Sequence, residues 1–210
     1  MSRAAFEKDG AWLPWAAWLG GLFPAAIIAW RAATGALGAD PIAEALNGMG
    51  DLAIKCLLLS LACTPARILT GATWPLRVRK HLGLLAFTYV VFHFGVYVIV
   101  DRAGELGTVL EDITKRPFIV VGFSAFVLLL PLAATSSKAA IRKLGGRRWN
   151  RLHKLVYVIA ILAVVHFIMR AKKDITEGAL HAAVLAFLLG VRIVDQLRTR
   201  SSKQRTPLTQ

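Results

Sequence analysis

Two histidines stand deep inside apolar runs of this sequence, His93 in "RKHLGLLAFTYVVFHFGVY" and His166 in "RLHKLVYVIAILAVVHFIMR". A second histidine opens each run, His81 in the first and His153 in the second. Imidazole is the commonest metal ligand among side chains and changes charge near neutral pH. Among Leu, Val, Phe and Ala it has no water to bond to, so it needs a partner on another helix or a bound group.

The elements that carry these histidines are membrane spans. The chain has 210 residues, of which 56% are hydrophobic and only 18% charged, and its mean hydropathy is positive, which is too apolar for an ordinary soluble domain. A helix needs roughly 17 to 25 apolar residues to cross the hydrocarbon. Apolarity predicts an all-α integral membrane protein, a six-transmembrane-helix bundle with spans at about 12–31, 51–66, 82–100, 117–135, 152–169 and 179–196. The first span is rich in tryptophan, which suits interfacial anchoring, and is too long for a cleaved signal peptide. The second is the shortest and has Lys55 one turn inside it, placed to pair with Asp51 or to reach the interface.

The formal net charge of +14 arises from 26 Lys and Arg against 12 Asp and Glu. Its distribution is that of a topology signal and not of nucleic-acid binding. Segments 67–80 and 136–154 are basic with no acid, and the tail from 197 onward is basic too, whereas 31–51, 101–116 and 170–178 taken together hold nine acids against seven bases. By the positive-inside rule the basic set, with both termini, is cytoplasmic. Residues 1–11 are then a cytoplasmic N-terminal segment, 12–196 the six-helix membrane domain, and 197–210 a basic disordered cytoplasmic tail.

The third and fifth spans run in the same direction. At 1.5 Å rise per residue His93 and His166 lie at nearly equal depth, about 18 to 20 Å beyond His81 and His153. Two imidazoles at one depth on neighbouring helices offer paired nitrogens to one iron, and a haem takes its protein ligands axially, so the remaining wall can be apolar. A zinc site needs three or four convergent ligands, and no carboxylate or cysteine accompanies this pair. Haem between helices 3 and 5, with His93 and His166 on the iron, is the expectation. Gly95, close after His93, would let a flat ring approach. The separation of His153 from His166 leaves their faces about 140° apart on a straight helix, so they need a bend or serve different neighbours. Lys55 and Arg116 are the nearest propionate candidates by depth, with interfacial snorkelling the ordinary reading of each, and His181 is expected to be interfacial.

The remaining signals are weaker. Cys56 and Cys63 share a face of the second span without C-x-x-C spacing, which indicates packing. No nucleotide-binding glycine motif, no H-E-x-x-H and no internal repeat occurs. Arg67, Arg77 and Arg79 on the inner face are candidates for holding a flavin phosphate or a quinone head group. The loop 101–116 is a candidate docking site for a partner on the outer face.

The series "GALGADP", "TPAR", "RKHLGLLAFTYVVFHFGVY", "KRPFIVVGFSAFVLLLPLAATS" and "KLGGRRWNRLHKLVYVIAILAVVH" resembles the haem-binding membrane subunits of bacterial methionine sulfoxide reductase systems, within the ferric-reductase-like transmembrane domain family. The resemblance implies a b-type haem electron-transfer subunit of the inner membrane with one or two haems. It implies electrons taken from the quinone pool and passed to a periplasmic molybdopterin-containing methionine sulfoxide reductase, the partner that carries out the catalysis and repairs oxidised proteins. It associates FMN with the chain and maps the family's functional histidines onto His93, His153 and His166, while His81 matches none. Larger ferric reductases attach a flavin and nicotinamide domain to a similar core; its absence here points to an external donor, the quinone pool or a cytoplasmic flavin reductase. A free-standing metal reductase or quinol-linked cytochrome b is the alternative, and a proton-coupled transporter a further one.

Overall fold

The computed structural model describes residues 12–171 and 174–205, with side chains through Ser201; the N-terminal segment 1–11 and the end of the tail, 206–210, lie outside the described residues. The helices are α1 (Leu13–Ala33), α2 (Pro41–Thr70), α3 (Pro75–Gly95), α4 (Leu106–Lys115), α5 (Pro117–Ala134), α6 (Lys138–Leu144), α7 (Gly146–His153), α8 (Leu155–Arg170) and α9 (Thr176–Arg205). Six segments are long and apolar enough to cross a membrane: α1, α2, α3 with its extension, α5, α7 with α8, and α9. They alternate in direction, so Leu13 and the close of α9 share one end of the bundle, the terminal end, and the turns after α1, α3 and α8 share the far end.

The weakest span in the sequence is the centre of the fold. Helix α2 has 30 residues rather than the sixteen-odd that apolarity marks, and it carries ten buried residues, more than any other helix. Its first ten residues are too polar to register as a span, yet they start cleanly: Asp40 accepts the Ala43 N–H and Pro41 sits in the first turn. Gly71, at φ 74°, ends it by donating to the Arg67 carbonyl. Lys55 pairs with Asp51 at 2.5 Å, one turn apart.

Lipid removes the hydrophobic drive for helices to associate, so small residues and polar contacts decide the packing. At Gly21 of α1 a Cβ would stand 2.4 Å from Leu85 of α3, and the Tyr89 hydroxyl of α3 donates to the Gly21 carbonyl. Pro65 inside α2 has no N–H, which leaves the Leu61 carbonyl one turn earlier without its helical donor. Arg192 of α9 supplies the missing bond at 2.6 Å and also donates to Tyr157 of α8 at 2.9 Å, tying three spans together. Cys56 and Cys63 are buried free thiols in α2. Trp12, Trp15, Leu19, Phe23 and Trp30 of α1 all face outward, as an apolar surface meant for lipid does.

Two departures from a plain six-span bundle matter for the site. Beyond Gly95, α3 widens into i→i+5 winding over Val96–Asp101, a form often found at functional positions. The fifth span is interrupted at Lys154 between α7 and α8, one residue after His153. Helix α9 continues to Arg205, past the boundary at 196 expected from apolarity. Gln196, Leu197, Arg198 and Arg200 are good helix formers, so the helix persists where the apolar character ends and the tail is helical through Arg205 instead of disordered.

Candidate functional site

His93, near the end of α3, and His166, near the end of α8, meet at the far end of the bundle with ring centroids 6.3 Å apart and planes at 82°. Each lies against the first turns of an antiparallel neighbour. His93 Nδ1 is 2.9 Å from the Leu46 carbonyl of α2, and His166 Nδ1 is 2.7 Å from the Phe118 carbonyl of α5. A carbonyl only accepts, so both Nδ1 atoms carry the proton, and in neutral rings both Nε2 atoms keep a free lone pair.

The two niches share one design. Four residues after Leu46 comes Gly50, and four after Phe118 comes Gly122, so each carbonyl that receives a histidine lies one helical turn below a glycine. A Cβ at Gly50 would stand 3.3 Å from His93 Nδ1, and one at Gly122 only 2.7 Å from His166 Nδ1. The glycines let each imidazole press against the neighbouring backbone. Neither glycine is singled out by its sequence context, because a small residue inside a span also serves plain helix packing. Gly95, expected to admit a ring, borders open space.

Fixing Nδ1 against an oxygen orients a metal-ligating histidine and raises its basicity. Two metal–nitrogen bonds of about 2 Å, each extended by about 1 Å to the ring centre, require roughly 6 Å between imidazole centroids. The observed 6.3 Å fits one metal held from two sides. Among the described residues no group of three or more His, Cys, Asp or Glu could hold a metal, so the pair would suit a group that takes two protein ligands, as a haem iron does, better than a zinc ion.

The inner histidines are held otherwise. His153 stacks on Trp149, centroids 4.0 Å apart, with Nε2 3.1 Å from Thr135 Oγ1. That hydroxyl donates to the Pro131 carbonyl at 2.6 Å, so it accepts from His153 and Nε2 carries the proton. His153 and His166 therefore hold opposite ends of the same helix, α5. His81 Nδ1 accepts from the Trp18 indole of α1 at 3.1 Å. His181, expected at the interface, is buried edge-on to Phe167 at 4.8 Å.

The remaining candidates fall at both ends and, for Lys55, between them. Arg67 closes α2, and Arg77 and Arg79 lie in the opening turns of α3, so the three surround one connection at the terminal end; Arg79 also reaches Thr64 at 3.4 Å. Midway along α2, Lys55 is committed to Asp51, and at the far end Arg116 is committed to Asp112 at 2.8 Å. Asp112 is buried and also binds Arg102 at 2.7 Å and the Tyr97 hydroxyl at 2.9 Å, which folds the 101–116 connection onto the end of α3. The guanidinium of Arg102 is held above its usual range, first by the Tyr97 hydroxyl and then by the Asp101 and Asp112 carboxylates.

Six apolar spans enclosing two niche-held imidazoles define a multi-pass membrane protein with a paired-histidine centre. The family described as ferric reductase like transmembrane component matches residues 49–164. The protein-methionine-sulfoxide reductase heme-binding subunit MsrQ of Deinococcus radiodurans is 49% identical over 178 residues, which span 85% of this chain and 88% of that protein. The subunit of the same name from Ralstonia nicotianae is 44% identical over 180 residues, 85% of this chain and 83% of its own. That of Rhodospirillum rubrum is 45% identical over 168 residues, 80% and 81% of the two chains. No solved structure matches the chain. The chain belongs to the ferric reductase-like transmembrane family and, within it, to the haem-binding subunits of methionine sulfoxide reductase systems, and its six spans are consistent with the bacterial inner membrane.

Proposed function

We propose that this chain is a membrane electron-transfer subunit that binds a b-type haem through His93 and His166 and passes electrons to a methionine sulfoxide reductase outside the membrane. The observation that carries the proposal is the 6.3 Å pairing of two imidazoles whose Nδ1 atoms are both fixed by backbone carbonyls. Bound there, an iron porphyrin supplies one-electron oxidation and reduction. Leu46 and Phe118 hold the imidazoles in the tautomer that offers Nε2.

Charge supports the direction. The basic connections lie at the terminal end, which the positive-inside rule assigns to the cytoplasm, and the histidine pair lies at the far end, nearer the periplasm. Electrons leaving there would meet a periplasmic molybdopterin enzyme, the partner implied by the resemblance and in keeping with the name the relatives carry. The quinone pool, dissolved in the bilayer, is the proposed donor, and Arg67, Arg77 and Arg79 are the proposed holders of a quinone head group or of the phosphate of FMN. His153 is the proposed inner ligand of a second haem; since its Nε2 faces Thr135, ligation through Nε2 requires that contact to open.

The test is a dithionite-reduced minus air-oxidised spectrum of the detergent-purified protein, with haem counted per chain by pyridine haemochrome. A low-spin b-type spectrum that disappears in His93→Ala and His166→Ala is expected. A full haem complement in either variant removes the assignment.

A further inference from the structure

The far end carries a cation that depth alone did not single out. Arg170 lies one turn beyond His166 on α8, about 6 Å further toward the far surface. Its guanidinium donates to the Asn47 side chain and rests over the Phe167 ring at 4.9 Å. Its partner Asn47 follows Leu46, whose carbonyl meets His93. Arg170 borders an open cleft of about 500 Å³, whose wall includes Glu44, Asn47, Asp51, Phe167 and Glu177.

The other described cations at this end, and Lys55 midway along α2, already have carboxylates. Arg31 pairs with Glu44 at 2.6 Å, Lys55 with Asp51, Arg102 and Arg116 with Asp112, and Lys115 with Glu111. Those pairs also neutralise two of the three acids of the cleft. Arg170 has an amide and an aromatic face, and no ion pair among the described residues. A haem is apolar at its ring and anionic at its two propionates, and the cost of desolvating a carboxylate turns that edge toward water and toward a cation. With the ligands at the far end, the nearer water is at the far surface, where Arg170 and Asn47 stand.

We infer that Arg170, positioned by Asn47, binds a haem propionate in this cleft. This rests on the haem assignment to His93 and His166. The Lys55 and Arg116 side chains, the nearest candidates for that role by depth, are engaged elsewhere. The interaction is a charge-assisted hydrogen bond and fixes which edge of the porphyrin faces out.

The experiment uses full-length protein, expressed under haem depletion and titrated in detergent with haem and, separately, with haem dimethyl ester, whose propionates carry no charge. Arg170→Gln should weaken haem binding about 10- to 100-fold and should leave binding of the dimethyl ester unchanged, while Arg170→Lys should recover part of the loss. Equal haem affinity in wild type and Arg170→Gln overturns the inference. So does an equal loss for haem and ester, which would mean that Arg170 acts through the fold. His93→Ala should weaken both forms alike, and a His93→Ala protein that binds both normally overturns the underlying haem assignment instead.

Discussion

Gly122 of α5 and His166 of α8 occupy a single niche, in which a Cβ on the glycine would stand 2.7 Å from the imidazole Nδ1 and 2.8 Å from Cε1. The Phe118 carbonyl one turn away on the same helix receives the Nδ1 proton. The histidine therefore reaches a backbone acceptor only because its neighbour has no side chain, and its orientation depends on that glycine as much as on its own position.

Gly122→Ala should push the His166 ring off the Phe118 carbonyl and weaken haem binding about 10- to 100-fold, the range for losing a contact that orients a metal ligand. Gly50→Ala should do less, because its Cβ would stand 3.3 Å from His93 Nδ1 and a shift of a few tenths of an ångström accommodates it. Haem-to-protein ratios of the two purified variants, compared at equal haem supply, check this ranking. Equal retention in both would show that the niches are not tight.

Replacing one ligand by a softer one should keep the haem and move its potential. In His166→Met the thioether takes an axial position without Nδ1 or its carbonyl bond, and Met/His ligation raises the potential relative to two histidines. Potentiometric titration of the reduced band should show a midpoint above that of the wild type. An unchanged midpoint with full haem content would argue that His166 is not on the iron.

Arg192 supports the fold at a distance from the histidine pair. It fills the acceptor at Leu61 that Pro65 leaves open and binds Tyr157. Arg192→Leu should orphan that carbonyl and cost about 1 to 3 kcal/mol, measured as a lower midpoint in detergent thermal unfolding. Adding Pro65→Ala returns an amide proton to Leu61 and should recover part of the loss.

Asp112 organises the far-side connection. Asp112→Ala removes the carboxylate that accepts from the Tyr97 hydroxyl and pairs with Arg102 and Arg116. Charge-assisted bonds of this kind are worth about 1.5 to 3 kcal/mol, so trypsin should cut after Arg102 and Lys115 about 10- to 100-fold faster. Unchanged cleavage would mean that the 101–116 connection is held by other contacts.

Much of the architecture is legible without coordinates, because the bilayer imposes length and apolarity on each span and charge bias on each connection. The six spans and the equal depth of His93 and His166 follow from spacing alone, while of the two roles open to Lys55 the structure shows the pair with Asp51. Apolarity does not mark the start of α2, because capping and packing hold Pro41–Gly50 in a helix. Which carbonyl each imidazole meets, which two glycines admit the rings, and which cation is left over could not be read this way. Those are contacts between residues as far apart as Asn47 and Arg170, set by how the helices rotate and approach one another. The sequence by itself determined the spans and the depth of the ligand pair, since one-dimensional periodicity encodes position along a helix. Only the tertiary structure decided the faces, the tautomers and the partners, since these depend on distances between helices that no single helix contains.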